Sequence, residues 1–448
     1  MSTVKNRMIS FTLVVVLLIS LSVGILAQAA SPVVSEEKLL EAADPVLTAY
    51  EEHYVVQNVR ITSPSEVFEE DGAQYITFFL TFDAALKYDS AVDLPRVQGI
   101  AQALNLGGNL QSVQEFSTKL HASDAIDTLQ GDVQTELQTS IQASRAMEAV
   151  AAAATEAKNT AESEPALTSA QKVDLISNYV LDKMDTYVAD LQAEYIGTSS
   201  EFNVDLRAMV DGQGNVLKLQ YGVFDEYSDD ISTVIPASNE RMVQEGKQQV
   251  AETIDMALEK VEQHASFSAI TPASNTSFIY YRTKARDYAN KYTVNAGERY
   301  CSTHKQNIRQ SAQYYNPAYF YFCCNDCANY VSQAMYAGGV PKDNIWIPNK
   351  QCAAWNSCSK LLYHFTTKTN YWTKTTYRNC NAGGVIVLFK DNKPYHVMMN
   401  VLNDSVTTKY SAHTNDRNQL TYTHAGLLSS SSTDSIQYYV FDRVSPAH

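Results

Sequence analysis

The first 300 residues of this 448-residue chain contain no cysteine, and all seven cysteines come after them. None closes the N-terminal apolar run, which excludes a lipid-modified anchor there. No His-Glu-x-x-His, Gly-x-Ser-x-Gly or phosphate-loop pattern occurs, so a zinc peptidase, a serine hydrolase and a nucleotide enzyme have no motif to rest on. No stretch beyond residue 30 is apolar enough to cross a bilayer. Positive charge is scarce in the first part of the chain. Residues 1–275 hold 16 Lys and Arg against 40 Asp and Glu, a net of −24, whereas residues 276–448 hold 18 against 9, a net of +9. Opposite charge and different cysteine usage point to two units with different jobs. A basic unit suits an anionic partner, and the acidic unit of the same chain is one candidate for intramolecular docking.

The chain opens with Lys5 and Arg7, an apolar run from about Ile9 to Leu26, and a small-x-small site at Ala27-Gln28-Ala29. The expectation is a signal peptide over 1–29 and an exported protein with no membrane contact after cleavage; an uncleaved anchor is the alternative. The acidic region, 30–268, shows one pattern twice. A helix over Glu36 to Tyr54 precedes strands at Val55 to Ser63 and Gln74 to Phe82, separated by Glu69-Glu70-Asp71-Gly72. A helix over Gln171 to Tyr195 precedes strands at Phe202 to Val210 and Val216 to Tyr221, joined by a Gly-rich turn. Two such units can pack as helices on one sheet. Pro95 to Ala170 reads as mostly helical, with an Ala- and Glu-rich solvated part from Ile141 to Glu164. Arg241 to Ala265 reads as an amphipathic helix, and 269–277 as a linker.

Residues 278–448 read as helices first and antiparallel strands after, an α+β domain. Asn325 or Asp326 can cap a helix that Gly338-Gly339 ends and Pro341 forbids to resume. Cys327, Tyr330, Val331, Ala334 and Met335 share its inward face. Cys327 sits in the first turn, where the helix dipole favours a thiolate. Further helices are expected at Tyr280 to Tyr292 and Ala354 to Phe365. Strands are expected at Gly383 to Phe389, His396 to Leu402, Lys409 to Ala412 and Gln437 to Phe441. A catalytic cysteine needs a base and a group to orient it. His396, opening a strand after the turn Asp391-Asn392-Lys393-Pro394, is the best-placed base. His413, just past the facing strand, is the best-placed orienter, with Asn415 or Asp416 as alternatives. A buried inert thiol and surface histidines would be the bland reading of the same residues.

The run Asp326-Cys327-Ala328-Asn329-Tyr330-Val331-Ser332-Gln333, with Tyr315-Asn316-Pro317 before it and Ala354-Trp355-Asn356, His396-Val397 and Ala412-His413-Thr414 after it, resembles the amidase domain family of secreted bacterial proteins. These are papain-like cysteine hydrolases related to NlpC and CHAP domains. The resemblance covers nearly all of 276–448. It implies a papain-like fold with Cys327 as nucleophile, His396 as general base and acid, and His413 as the polar third member. The chain departs from its relatives at Cys323-Cys324, where Gly is usual, at Ala328 for Thr or Ser, and at Gly384 for Asp. The oxyanion donors are expected to include the backbone N–H of Cys327.

The expected function is an exported cysteine amidase or peptidase acting on amide bonds of peptidoglycan peptides. The alternative is a non-catalytic envelope-binding or structural protein on the same fold. No cofactor and no metal-binding residues are assigned, and no nucleic-acid partner is implied, since the tyrosines follow strands and helix faces rather than a basic stripe. Cys301, Cys323, Cys324, Cys352, Cys358 and Cys380 could form up to three disulfides in an exported chain; free or partly free thiols are the alternative, and a thiolate zinc site is a lesser option, since no Cys-x-x-Cys pair has a matching second pair.

Overall fold

The computed structural model describes residues 32–107, 110–122, 167–224, 226–263 and 278–441, with parts of 127–142. The expected signal peptide, nearly all of the Ala-rich stretch and the linker lie outside the described residues. No helix among the described residues is long and apolar enough to cross a membrane.

The acidic region begins with helix α1, Glu36–Glu51, whose N–H at Lys38 is capped by Ser35 Oγ. Leu39, Ala43, Val46 and Tyr50, at steps of four, three and four, form its buried stripe. Strands β1 (Tyr54–Thr62), β2 (Phe68–Glu70) and β3 (Ala73–Leu86) follow, with the tight turn at Asp71-Gly72. Helices α2 (Pro95–Ala103), α3 (Val113–Leu120) and α4 (Ser169–Glu194) lead to β4 (Ser199–Val210), β5 (Val216–Val223) and β6 (Glu226–Ser228). Helix α5, Asn239–Gln263, closes the region. It crosses α2 where glycines face backbone: a Cβ on Gly99 would lie 2.0 Å from Val243 O, and one on Gly246 2.0 Å from Arg96 O.

The basic region continues with α6 (Arg282–Lys291), β7 (Arg299–Cys301), β8 (Gln306–Ile308), α7 (Cys327–Ala337), α8 (Ala353–Asn356) and α9 (Cys358–Tyr363). Then come β9 (Trp372–Thr375), β10 (Val385–Lys390), β11 (Lys393–Asn403), β12 (Thr408–Ala412), β13 (Arg417–Tyr422), α10 (His424–Ser429) and β14 (Ser435–Phe441). The expected helix at Ala354 to Phe365 is broken at Ser357, whose extended backbone separates α8 from α9. Strand β11 begins at Lys393, so His396 lies inside the strand rather than opening it. Asp391 and Asn392, with φ of 50° and 58°, turn the chain in two residues and let pairing resume at once. Strands β9 and β13 and the β7–β8 hairpin went unread in the sequence. They are short and polar enough to carry no clear period-2 signal.

The fold is α+β, built on one large, mostly antiparallel sheet with the order β1-β3-β4-β13-β12-β11-β10-β14-β9. The acidic and basic regions join within it through a parallel contact of β13 with β4, at Leu420 and Asn203. Alternation along the C-terminal strands serves two cores. Ile386, Leu388 and Met398 face the core shared with the acidic region, while Val385, Val387, Val397 and Met399 face the core around α7. Burial on both faces explains why these strands read as unbroken apolar runs. Carboxylates of one region meet guanidiniums of the other. Arg282 pairs with Asp190 at 2.8 Å and with Glu194, Arg378 with Glu252 at 2.7 Å, and Arg417 with Asp205 at 3.3 Å.

Candidate active site

Helix α7 is buried on every side from Cys327 to Met335, not on a single stripe. Its polar residues enter the interior only because each is paired. Asn329 accepts a hydrogen bond from Trp355 Nε1 at 2.8 Å, and Ser332 Oγ accepts one from Trp346 Nε1 at 3.1 Å. Gln333 Oε1 accepts from Tyr288 OH at 2.7 Å, and that hydroxyl accepts from Asn316 Nδ2 at 2.9 Å. The helix ends as expected, with Gly339 at φ +97°. Its start differs from expectation. Asp326 holds the N-cap position, but its side chain makes no cap hydrogen bond. Thr414 Oγ1, from beyond β12, accepts the N–H of Asp326 at 2.7 Å and of Cys327 at 3.1 Å. The Cys327 N–H, the expected oxyanion donor, is thus engaged by Thr414 in this structure. Thr414 itself sits at φ +83°, a strained conformation for a β-branched residue.

The Cys327 thiol is 2 % exposed. It is held well below the usual thiol range chiefly by a hydrogen bond from Cys358, whose Sγ lies 3.4 Å away; burial opposes this, and the hydrogen bond and charge of His396 add to it. Cys358 is pushed well above its ordinary value by the same contact, with burial in support. The contact thus favours the charged form at Cys327 over that at Cys358. The structure brings His396 to Cys327, and His396 is itself 4 % exposed. The ring of Phe224, at the end of β5, packs on the His396 ring with centroids 4.9 Å apart. His396 Nε2 is buried with no hydrogen-bond partner among the described residues.

His413 does not orient His396, contrary to expectation. Its Nδ1 lies 2.6 Å from Asp326 Oδ2 and its Nε2 2.6 Å from the Tyr292 carbonyl, which takes both ring nitrogens. The ring is clamped between Tyr315 and Tyr330, at centroid distances of 3.7 and 4.0 Å. Burial raises the Asp326 carboxyl above its usual range and His413 opposes the rise. His413 thus anchors the residue before Cys327. Asp416 is equally committed, accepting from Ser311 N–H at 2.8 Å and Tyr315 OH at 2.7 Å.

All seven cysteines are free in the structure, the second of the options left open by the sequence. Cys358 faces Cys327, and Cys380 is buried where a Cβ on Gly384 would lie 2.5 Å from its sulfur. The sequence hid Cys358 among candidates for cross-linking, and it gave no sign that Phe224 meets His396. A cavity of about 390 Å³ lies on the segment that carries Cys358, lined by Ile345, Cys352, Tyr363 and His364 but not by Cys327 or His396.

Residues 279–441 match the putative amidase domain family. The C-terminal domain is amidase-like, and the matched span contains Cys327, His396 and His413. No curated protein and no solved structure matches the chain.

Proposed function

We propose that the protein is an exported cysteine hydrolase that cleaves amide bonds in peptidoglycan peptides, on a papain-like arrangement of nucleophile helix and sheet. The single observation that supports this most is the placement of Cys327 at the start of α7 beside His396, inside the amidase-like segment, with the thiol held below its usual range. In this reading Cys327 attacks the amide carbonyl, His396 delivers a proton to the leaving amine, and water hydrolyses the acyl-enzyme. The net +9 of residues 276–448 suits an anionic envelope. The acidic region restrains the site, with Phe224 laid on the catalytic imidazole.

A second reading is favoured by one observation, the near-complete burial of both Cys327 and His396. It is a non-catalytic envelope-binding protein that keeps the fold. Digestion of purified cell walls by the full chain and by its Cys327→Ala variant separates the two. Amide release by the wild type and none by the variant supports the hydrolase; equal release, or none from either, sinks it.

A further inference from the structure

Four potential metal ligands converge just upstream of the nucleophile helix. The β7–β8 hairpin pairs Cys301 with Gln306, and its turn swings His304 back so that Nδ1 lies 3.5 Å from Cys301 Sγ. From the loop before α7, Cys323 Sγ lies 3.4 Å from Cys301 Sγ and 3.3 Å from Cys324 Sγ. Neighbouring residues ordinarily point apart. Here Cys324 adopts φ +65°, its N–H bonded to Gln310 Oε1 at 2.7 Å, and both sulfurs face one spot. The four donor atoms all lie within 4.8 Å of one another.

We propose that Cys301, His304, Cys323 and Cys324 form a structural zinc site. Tetrahedral zinc with sulfur at about 2.3 Å and nitrogen at about 2.0–2.1 Å has S···S edges of about 3.8 Å and S···N edges of about 3.5 Å. Three of the six edges, at 3.3 to 3.5 Å, need shifts of up to about 0.5 Å to reach them, and the other three, all within 4.8 Å, need shifts of at most about 1.3 Å. Soft thiolates with one imidazole select zinc over hard cations. A disulfide between any two of these cysteines would leave the third sulfur and the imidazole gathered to no purpose, whereas one metal uses all four. Binding deprotonates the three thiols, releases their protons to solvent, and leaves a Cys₃His centre with no open position, so its role is structural. That role is local. Cys323 and Cys324 lead directly into Asp326 and Cys327, and the metal would tie that loop to the β7–β8 hairpin, fixing how the nucleophile is presented.

The test is the metal content of the full chain purified without chelator, by elemental mass spectrometry, alongside Cys301→Ser, His304→Ala and Cys358→Ser variants. About one zinc per chain is expected in the wild type and in Cys358→Ser, falling to a small fraction in Cys301→Ser and markedly in His304→Ala. Should the first two variants fold poorly, cobalt exchanged into the wild type provides the second measurement, with thiolate-to-cobalt charge-transfer absorption expected. Zinc-free chain with free thiols, a disulfide among the three cysteines in non-reducing peptide maps, or zinc lost equally from Cys358→Ser would each overturn the proposal.

Discussion

Cys358 Sγ lies 3.4 Å from Cys327 Sγ, a contact that pulls the Cys327 thiol below its usual range and pushes Cys358 above it. A hydrogen bond that favours the charged form contributes about 1.5–3 kcal/mol. Cys358→Ala should therefore raise the midpoint of Cys327 alkylation by iodoacetamide. Rates measured from pH 5 to 9, with the Cys327 peptide followed by mass spectrometry, give the answer. An unshifted midpoint would leave His396 as the source of the thiolate.

Phe224 covers the His396 ring from the acidic region. Phe224→Ala removes that cover without touching the sheet pairing. Alkylation of Cys327 and wall hydrolysis should both accelerate, by about tenfold if the cover is worth about 1.4 kcal/mol of closure. Unchanged rates in both assays would show that the acidic region does not restrain the site.

Thr414 Oγ1 is the acceptor for two N–H groups at the start of α7. Thr414→Val keeps the shape and leaves both donors unsatisfied, at a cost of about 1–3 kcal/mol for each buried group. The urea midpoint should fall accordingly. Thr414→Ser, which retains the oxygen and sheds the strain of a β-branched residue at positive φ, should be close to neutral.

Lys409 is buried on β12, its Nζ donating to Glu201 O at 2.7 Å and Ser200 Oγ at 3.0 Å, with Gln419 Oε1 at 3.4 Å and the Phe202 ring at 4.1 Å. Burial lowers it to about 7, opposed by the charges of Asp404 and Glu201. Between this value and the unfolded value of about 10.4 the unfolded chain binds the extra proton. Stability therefore rises with pH across that window, with a slope of up to about 1.4 kcal/mol per unit, and the cost of burial is fully present below pH 7. Urea unfolding from pH 7 to 10 should show this slope in the wild type and lose it in Lys409→Met.

Much of this was legible from the chain because the signals are local. The glycines after Ala337, the Asp71-Gly72 turn and the stripe of α1 each encode structure within a few residues. The family-like motif also held together in space, since Tyr288, Asn316 and Gln333 form one hydrogen-bonded chain. The sequence also led to Cys327 and His396, which do meet. It failed on His413, because antiparallel pairing of β11 with β12 says that two residues are near but not which groups a ring will bind. Asp326 and two tyrosines captured it first.

By itself the sequence determined the longer elements, the opposite charge of the two regions and the thiol at a helix start. These follow from periods of 2 and 3.6 residues, from turn chemistry and from composition. Only the tertiary structure decided what surrounds that thiol: Cys358 against its sulfur, Thr414 on its backbone, Asp326 held by His413, and Phe224 over the imidazole. Those contacts join residues far apart in the chain. They are set by how two cores grip the two faces of one sheet, and no local pattern records that.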